Sequence, residues 1–244
     1  MWMDRLAALW DQLFGPQPPP PPLLVVITAG LALVVVSARW PWRISRNVIT
    51  IAHEGGHALA ALVTGRKLRG IRLHSDTSGL TLSAGRPTGP GMILTLVAGY
   101  VTPSLLGLAG AWLLSDYRVT LVLWLALALL LAMLVWVRNV FGILAIVVTA
   151  TLVLVVSRFA PPEVQAAFAY TGVWFLLFGG VRPIGELQQL RWRQPQPNSD
   201  ADQLARLTRI PGLVWVALFG VVTVAALGAG TGLLAVPFVE GLTP

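Results

Sequence analysis

Apolar residues in this chain come in long runs separated by short polar punctuation, and only two of the connections are long. Seven runs approach the roughly 20 residues that carry a helix across a bilayer: 23–38, 44–64, 91–114, 119–137, 140–157, 164–181 and 211–236. The pattern predicts an all-α polytopic membrane protein with about seven transmembrane helices. The first long connection, 65–90, contains two short alternating stretches, Arg69–His74 and Leu80–Ala84, around Ser75-Asp76-Thr77-Ser78-Gly79. Alternation on both sides of a polar turn predicts a small β-hairpin. The second, 182–210, holds a polar Pro/Gln stretch followed by "NSDADQLARLTRIP", which reads as a helix start before the last run.

Ahead of the first run, Met3, Leu6, Trp10, Leu13 and Phe14 share one helical face, the pattern of a short helix lying in the membrane interface. Five consecutive prolines, Pro18–Pro22, then form a stiff spacer. The chain thus divides into an N-terminal interfacial segment and spacer, 1–22, and a membrane domain, 23–244. The run at 23–38 is a poor secretory signal, since Asp4 and Asp11 precede it with only Arg5. Trp40 and Trp42 after it suit an interfacial belt.

Composition agrees with a bilayer. The chain is 56% hydrophobic and 11% charged, with a mean hydropathy of +0.75, whereas soluble domains carry roughly 25% charged residues. The absence of cysteine excludes disulfides and thiolate metal sites. The net charge of +7 sits in short connections between apolar runs, which argues for membrane topology and against nucleic-acid binding. If seven runs alternate across the membrane from a cytoplasmic N-terminus, twelve Lys and Arg fall inside: Arg5, Arg138, five in 65–90 and five in 182–210. The five others, Arg39, Arg43, Arg46, Arg118 and Arg158, fall outside. The positive-inside rule then predicts a cytoplasmic N-terminus and cytoplasmic long connections.

The second run carries the chemistry. In "ITIAHEGGHALAAL", residues 49–62, two histidines and a glutamate interrupt apolar sequence as His53-Glu54-x-x-His57. On a helix, residues four apart project from one face, so both imidazoles can grip one zinc ion. Glu54, about 100° around the helix, is placed to take a proton from water at the metal without being a ligand. The competing structural account, a hydrogen-bonded polar cluster, is weakened because ionisable residues inside membrane spans are rare and usually functional. If the helix ends near Thr64, the histidines lie about 10–16 Å inside the membrane.

A zinc motif in a membrane helix followed by a β-hairpin resembles the intramembrane site-2 protease group, peptidase family M50. The stretches "HEGGHALAALVTGRKLRGIRLHSDTSGLT" and "SDADQLARLTRIPGLVW" look most like its bacterial M50B-like branch. The resemblance implies a zinc metalloendopeptidase that hydrolyses peptide bonds in transmembrane protein substrates, as in regulated intramembrane proteolysis. It also implies the bacterial plasma membrane as its location, with an active site opening to the cytoplasm. Members use a third, acidic ligand, commonly in an L-D-G type motif, and this chain has no Asp-Gly pair. Candidates on the cytoplasmic side are His74, Asp76, Glu186, Asp200 and Asp202. Asp200 shares a helical face with Leu204 and Leu207 and so points inward, though it also suits a helix N-cap. Asp202 faces Arg206 and Arg209, where an i,i+4 pair with Arg206 accounts for it. Gly99, Pro103 and Gly107 loosely resemble the family's small-residue motif, and helix packing accounts for them equally well. Asn139, in "VRNVFGIL", is a candidate for polarising a scissile carbonyl or for capping a helix. Two other functions remain in view: a membrane metal-binding or transport protein, and a proteolytically inactive scaffold of the same family.

Overall fold

The computed structural model of the protein describes Trp2 and residues 15–235; the interfacial helix expected over 3–14 lies outside the described residues. Proline and polar residues punctuate the described chain into helices α1 (Pro22–Ser37), α2 (Arg39–Val63), α3 (Pro90–Ser115), α4 (Val119–Leu134), α5 (Val140–Phe159), α6 (Pro162–Arg193), α7 (Asp200–Thr208) and α8 (Gly212–Leu234). Strands β1 (Lys67–Leu73) and β2 (Gly79–Ala84) form the hairpin between α2 and α3. Pro22, Pro90 and Pro162 each open a helix, where the missing N–H costs nothing.

Four helices, α3, α5, α6 and α8, are long and apolar enough to cross a membrane, or five if α1 and α2 count as one bent span. The seven-run expectation therefore needs correction at its first two members. Pro41 cannot donate to the carbonyl four residues back, so the helix that starts at Pro22 stops at Ser37 and the chain turns through 99° at Ala38. Together α1 and α2 make a single passage along the bundle. The Gln17 N–H, just before α1, bonds the Tyr117 carbonyl at the end of α3, whereas Thr64 after α2 packs on Gly91 at the start of α3. Those two places lie at opposite ends of a 26-residue helix. The chain segment before α1 and the hairpin are thus at opposite ends of the bundle, not on one side as the alternating reading had it. Helix α4, 16 residues long, also runs between the ends: Thr120 contacts Gln17, and residues 136–138 beyond it pair with β1.

The hairpin is antiparallel, with Leu73 opposite Gly79 and Lys67 opposite Ala84, and a bulge between Leu68 and Gly70. Its turn is an Asx-turn, in which the Asp76 carboxylate accepts the Ser78 N–H at 2.9 Å. The outer edge of β1 is already paired: the Ile71 N–H donates to Trp136 and the Arg138 N–H donates to Ile71, each at 2.9 Å. Among the described residues, β2 keeps the open edge. Ile51, Ile71, Leu73, Val137 and Ile146 bury a small core that seats the hairpin on α2 and α5. A separate core of Leu96, Leu187, Ala201, Leu204 and Phe219 holds α7 against α3, α6 and α8. That second core fixes where Asp200 points.

Candidate metal centre

Helix α2 stacks His53 and His57 on one face, and α3 supplies the wall opposite them. The wall can come close because it is glycine: a methyl group at Gly99 would stand 2.4 Å from His57 Nε2 and 2.8 Å from the His53 ring. Gly56 serves the same approach from α2, where a methyl group would meet Thr102 and the Ala98 carbonyl. The Thr95 carbonyl lies 2.6 Å from His57 Nδ1. A carbonyl only accepts, so the neutral ring carries its proton on Nδ1 and turns the Nε2 lone pair inward. Thr95 and Gly99 are five and nine residues from the start of α3, so the centre lies about 8–14 Å along that helix from the hairpin end.

Asp200 completes the group. Ser199 takes the N-cap position of α7, accepting the Asp202 N–H at 3.2 Å, which leaves Asp200 as the first helical residue with its side chain free to turn inward. One carboxylate oxygen stands 3.3 Å from Nε2 of His53 and 3.3 Å from Nε2 of His57, and the two Nε2 atoms are 3.0 Å apart. A tetrahedral zinc with bonds of about 2.0–2.1 Å needs donors about 3.3 Å apart along each edge. The three donor atoms meet that spacing, and two imidazole nitrogens with one carboxylate are a ligand set that zinc accepts. The residues therefore fit the ion. The absence of an Asp-Gly pair does not deprive the site of an acid.

The other acidic and imidazole candidates are committed elsewhere. His74 and Asp76 belong to the hairpin turn, and the Ser78 hydroxyl, bonding at 2.7 Å, holds the Asp76 carboxyl below its ordinary range. Glu186 accepts from Trp42 at 2.9 Å and from Arg182 at 2.8 Å. Asp202 pairs with Arg191 of α6 rather than with Arg206, the partner that helical spacing suggested. Asn139 is placed as the residue preceding α5, but its side chain makes no cap. Instead it acts like an extra strand residue, accepting the Leu73 N–H at 3.1 Å and donating to the Leu73 carbonyl at 2.6 Å. Its amide is consumed in holding β1 to α5.

Glu54 is buried beside the hairpin rather than among the three donors. The Thr81 hydroxyl donates to Glu54 Oε2 at 2.6 Å, and a methyl group at Gly79 would stand 2.3 Å from Oε1. Sequence reading missed Thr81 and Gly79, because their partner is 27 and 25 residues away and nothing local announces it. Tyr100 was missed as well; its ring meets His53 edge-on at 4.8 Å and stacks on Phe219 at 5.2 Å, bracing the first histidine from α8.

A buried His-Glu-x-x-His helix with an acid delivered from a later helix is a metallopeptidase arrangement. The chain matches the family described as Peptidase M50B-like over residues 26–230. No curated protein and no solved structure matches it. Because the match spans most of the sequence and contains every residue of the metal-ligand group, the chain belongs to the M50B-like peptidase family, a metallopeptidase family of multi-pass membrane proteins.

Proposed function

We propose that this protein is an intramembrane zinc endopeptidase that hydrolyses peptide bonds in membrane-embedded segments of other proteins. The observation that carries the reading is the 3.0–3.3 Å triangle of His53, His57 and Asp200 where α2 packs against α3 and α7. His53, His57 and Asp200 would hold zinc, which would supply Lewis acidity toward water or a carbonyl. Glu54 takes the proton from the attacking water and returns it to the leaving amine. Thr81 and Gly79 set the Glu54 carboxylate, one by donating to Oε2 and the other by leaving room at Oε1.

A substrate helix must unwind before its carbonyls are available, since its own ladder satisfies them. The open edge of β2 offers the extended segment a replacement set of backbone partners, and β2 is the strand that touches Glu54. The α1–α2 pair and α4 are read as membrane-embedded along with the four long helices. Arg118 and Arg158 are the only basic residues at the end away from the hairpin, among the described residues. That distribution supports a cytoplasmic hairpin and active-site opening in a bacterial plasma membrane. The family match supports a role in regulated proteolysis of a signalling protein.

Transport is the weaker reading: among the described residues there is one group of three metal-type ligands, not a series along a path. The experiment is reconstitution of the purified protein with single-span substrates and mass spectrometry of the products. Cuts within or at the hairpin-side edge of the apolar segment support the reading. Zinc flux into liposomes without any cleavage replaces it.

A further inference from the structure

A second concavity lies where α1 breaks into α2. It has a volume of ≈ 380 Å³ and is lined by Arg39, Trp42, Arg43, Arg46 and Arg182 on one side and by Ser75–Thr77 of the hairpin turn on the other. Helical spacing puts Arg39, Arg43 and Arg46 on one face of α2, and α6 brings Arg182 across to them. Glu186 holds two of these arginines, accepting from Arg182 and pairing with Arg46 at 3.3 Å. Arg182 also lies 4.7 Å over the Trp42 ring. Arg39 and Arg43 make no ion pair among the described residues. Among the described residues, the four guanidiniums share one ion-pair partner, Glu186; Arg182 also donates to the Val36 carbonyl, and the Asp76 carboxylate in the lining is occupied by Ser78.

We propose that this cavity binds the phosphate of an anionic phospholipid headgroup. Guanidinium forks match phosphate oxygens in geometry and charge. Basic pockets between membrane helices on one face are suited to anionic lipid headgroups. Exposed apolar side chains neighbour the arginines along the chain: Trp40 and Ile44 on α2, and Val34 near the end of α1. A free phosphate has no use for these side chains, whereas acyl chains do. The site is also coupled to the catalytic wall. The Thr50 hydroxyl of α2 donates to the Thr77 carbonyl in the cavity lining at 2.8 Å, and Gly79, two residues on, packs against Glu54. A headgroup seated between α2 and Ser75–Thr77 steadies the turn that positions β2.

The test is binding, and it does not depend on proteolysis. The full-length protein is placed in nanodiscs of phosphatidylcholine with or without phosphatidylglycerol, and retained lipid is counted by native mass spectrometry. Wild type retains phosphatidylglycerol in preference to phosphatidylcholine. Arg39→Gln/Arg43→Gln weakens that retention about thirtyfold, on the scale of roughly fivefold per arginine, while Arg158→Gln at the far end leaves it unchanged. Zinc content verifies that the double variant is folded. A second measurement needs no variant: amide exchange over residues 74–78 slows in the phosphatidylglycerol discs. Equal retention of the two lipids with unchanged exchange overturns the proposal. Inorganic phosphate that slows the exchange as well as the lipid does makes the ligand a soluble anion and overturns the lipid assignment. Displacement of the lipid by a soluble acidic peptide reassigns the cavity to a protein segment.

Discussion

Gly99 of α3 and His57 of α2 approach so closely that a methyl group on the glycine would stand 2.4 Å from the Nε2 atom that faces Asp200. Real Cβ atoms do not come that near a ring nitrogen, so the histidine face and α3 fit only while residue 99 lacks a side chain. Gly99→Ala is expected to push α3 or the imidazoles apart and to weaken zinc binding about 10–100-fold, the usual scale for disturbed ligand support. Chelator competition on the purified protein measures it. Wild-type affinity in Gly99→Ala would show that the donors are set by α2 and α7 alone.

The carboxylates of α7 are separable. Asp200→Ala should lose most bound zinc, because one corner of the 3.0–3.3 Å triangle is gone. Asp202→Ala should keep the metal but lower stability by about 1–2 kcal/mol through loss of the Arg191 pair and of the hydrogen bond that its carboxylate accepts from the Ser199 hydroxyl. Metal analysis beside a melting curve reads both. Zinc retained in Asp200→Ala and lost in Asp202→Ala reverses the assignment.

Among the described residues, Thr81 donates the one hydroxyl that meets Glu54 Oε2. Thr81→Val keeps the shape and removes the donor. Cleavage is expected to fall about tenfold or more, on the scale of a hydrogen bond to a charged group, with zinc content unchanged. A variant as active as wild type would show that Glu54 is positioned without the hairpin.

The bent passage through α1 and α2 has a topological consequence. Single cysteines at Pro18, Ser75 and Ala160 can be labelled cleanly, because the chain has no cysteine of its own. Pro18 and Ala160 should react with an impermeant thiol reagent in intact cells, and Ser75 should not. Pro18 and Ser75 labelled from the same side would restore two separate crossings for 23–38 and 44–64.

These tests follow the line between what the sequence discloses and what it does not. His53, Glu54 and His57 are readable because one helix carries all three at fixed spacing, and residues 69–84 because a period of two flanks a polar turn. Asp200 was legible through its neighbours, since Leu204 four residues on is fully buried and turns the same face inward. Asp202 was only half legible: helical spacing offers Arg206, but α6 lies nearer and presents Arg191. The single passage of α1 and α2 was not legible. Pro41 announces a break but not its 99° angle, and the packing of Trp42 and Ile49 on Gly179 of α6 that accompanies it is a contact more than 120 residues away. The bonding of Asn139 to β1 in place of a helix cap was illegible for a similar reason, because its partner, Leu73, lies 66 residues earlier.

The central claim is that Glu54 serves as the base beside a metal it does not bind, and one variant tests it most directly. Glu54→Gln keeps the size and still accepts from Thr81, but it cannot take the water proton. Reconstituted with a single-span substrate, it should hold zinc at wild-type stoichiometry and cleave about 10²–10⁴-fold more slowly, the range that general-base assistance supplies. Cleavage at the wild-type rate by the zinc-loaded variant would contradict the account.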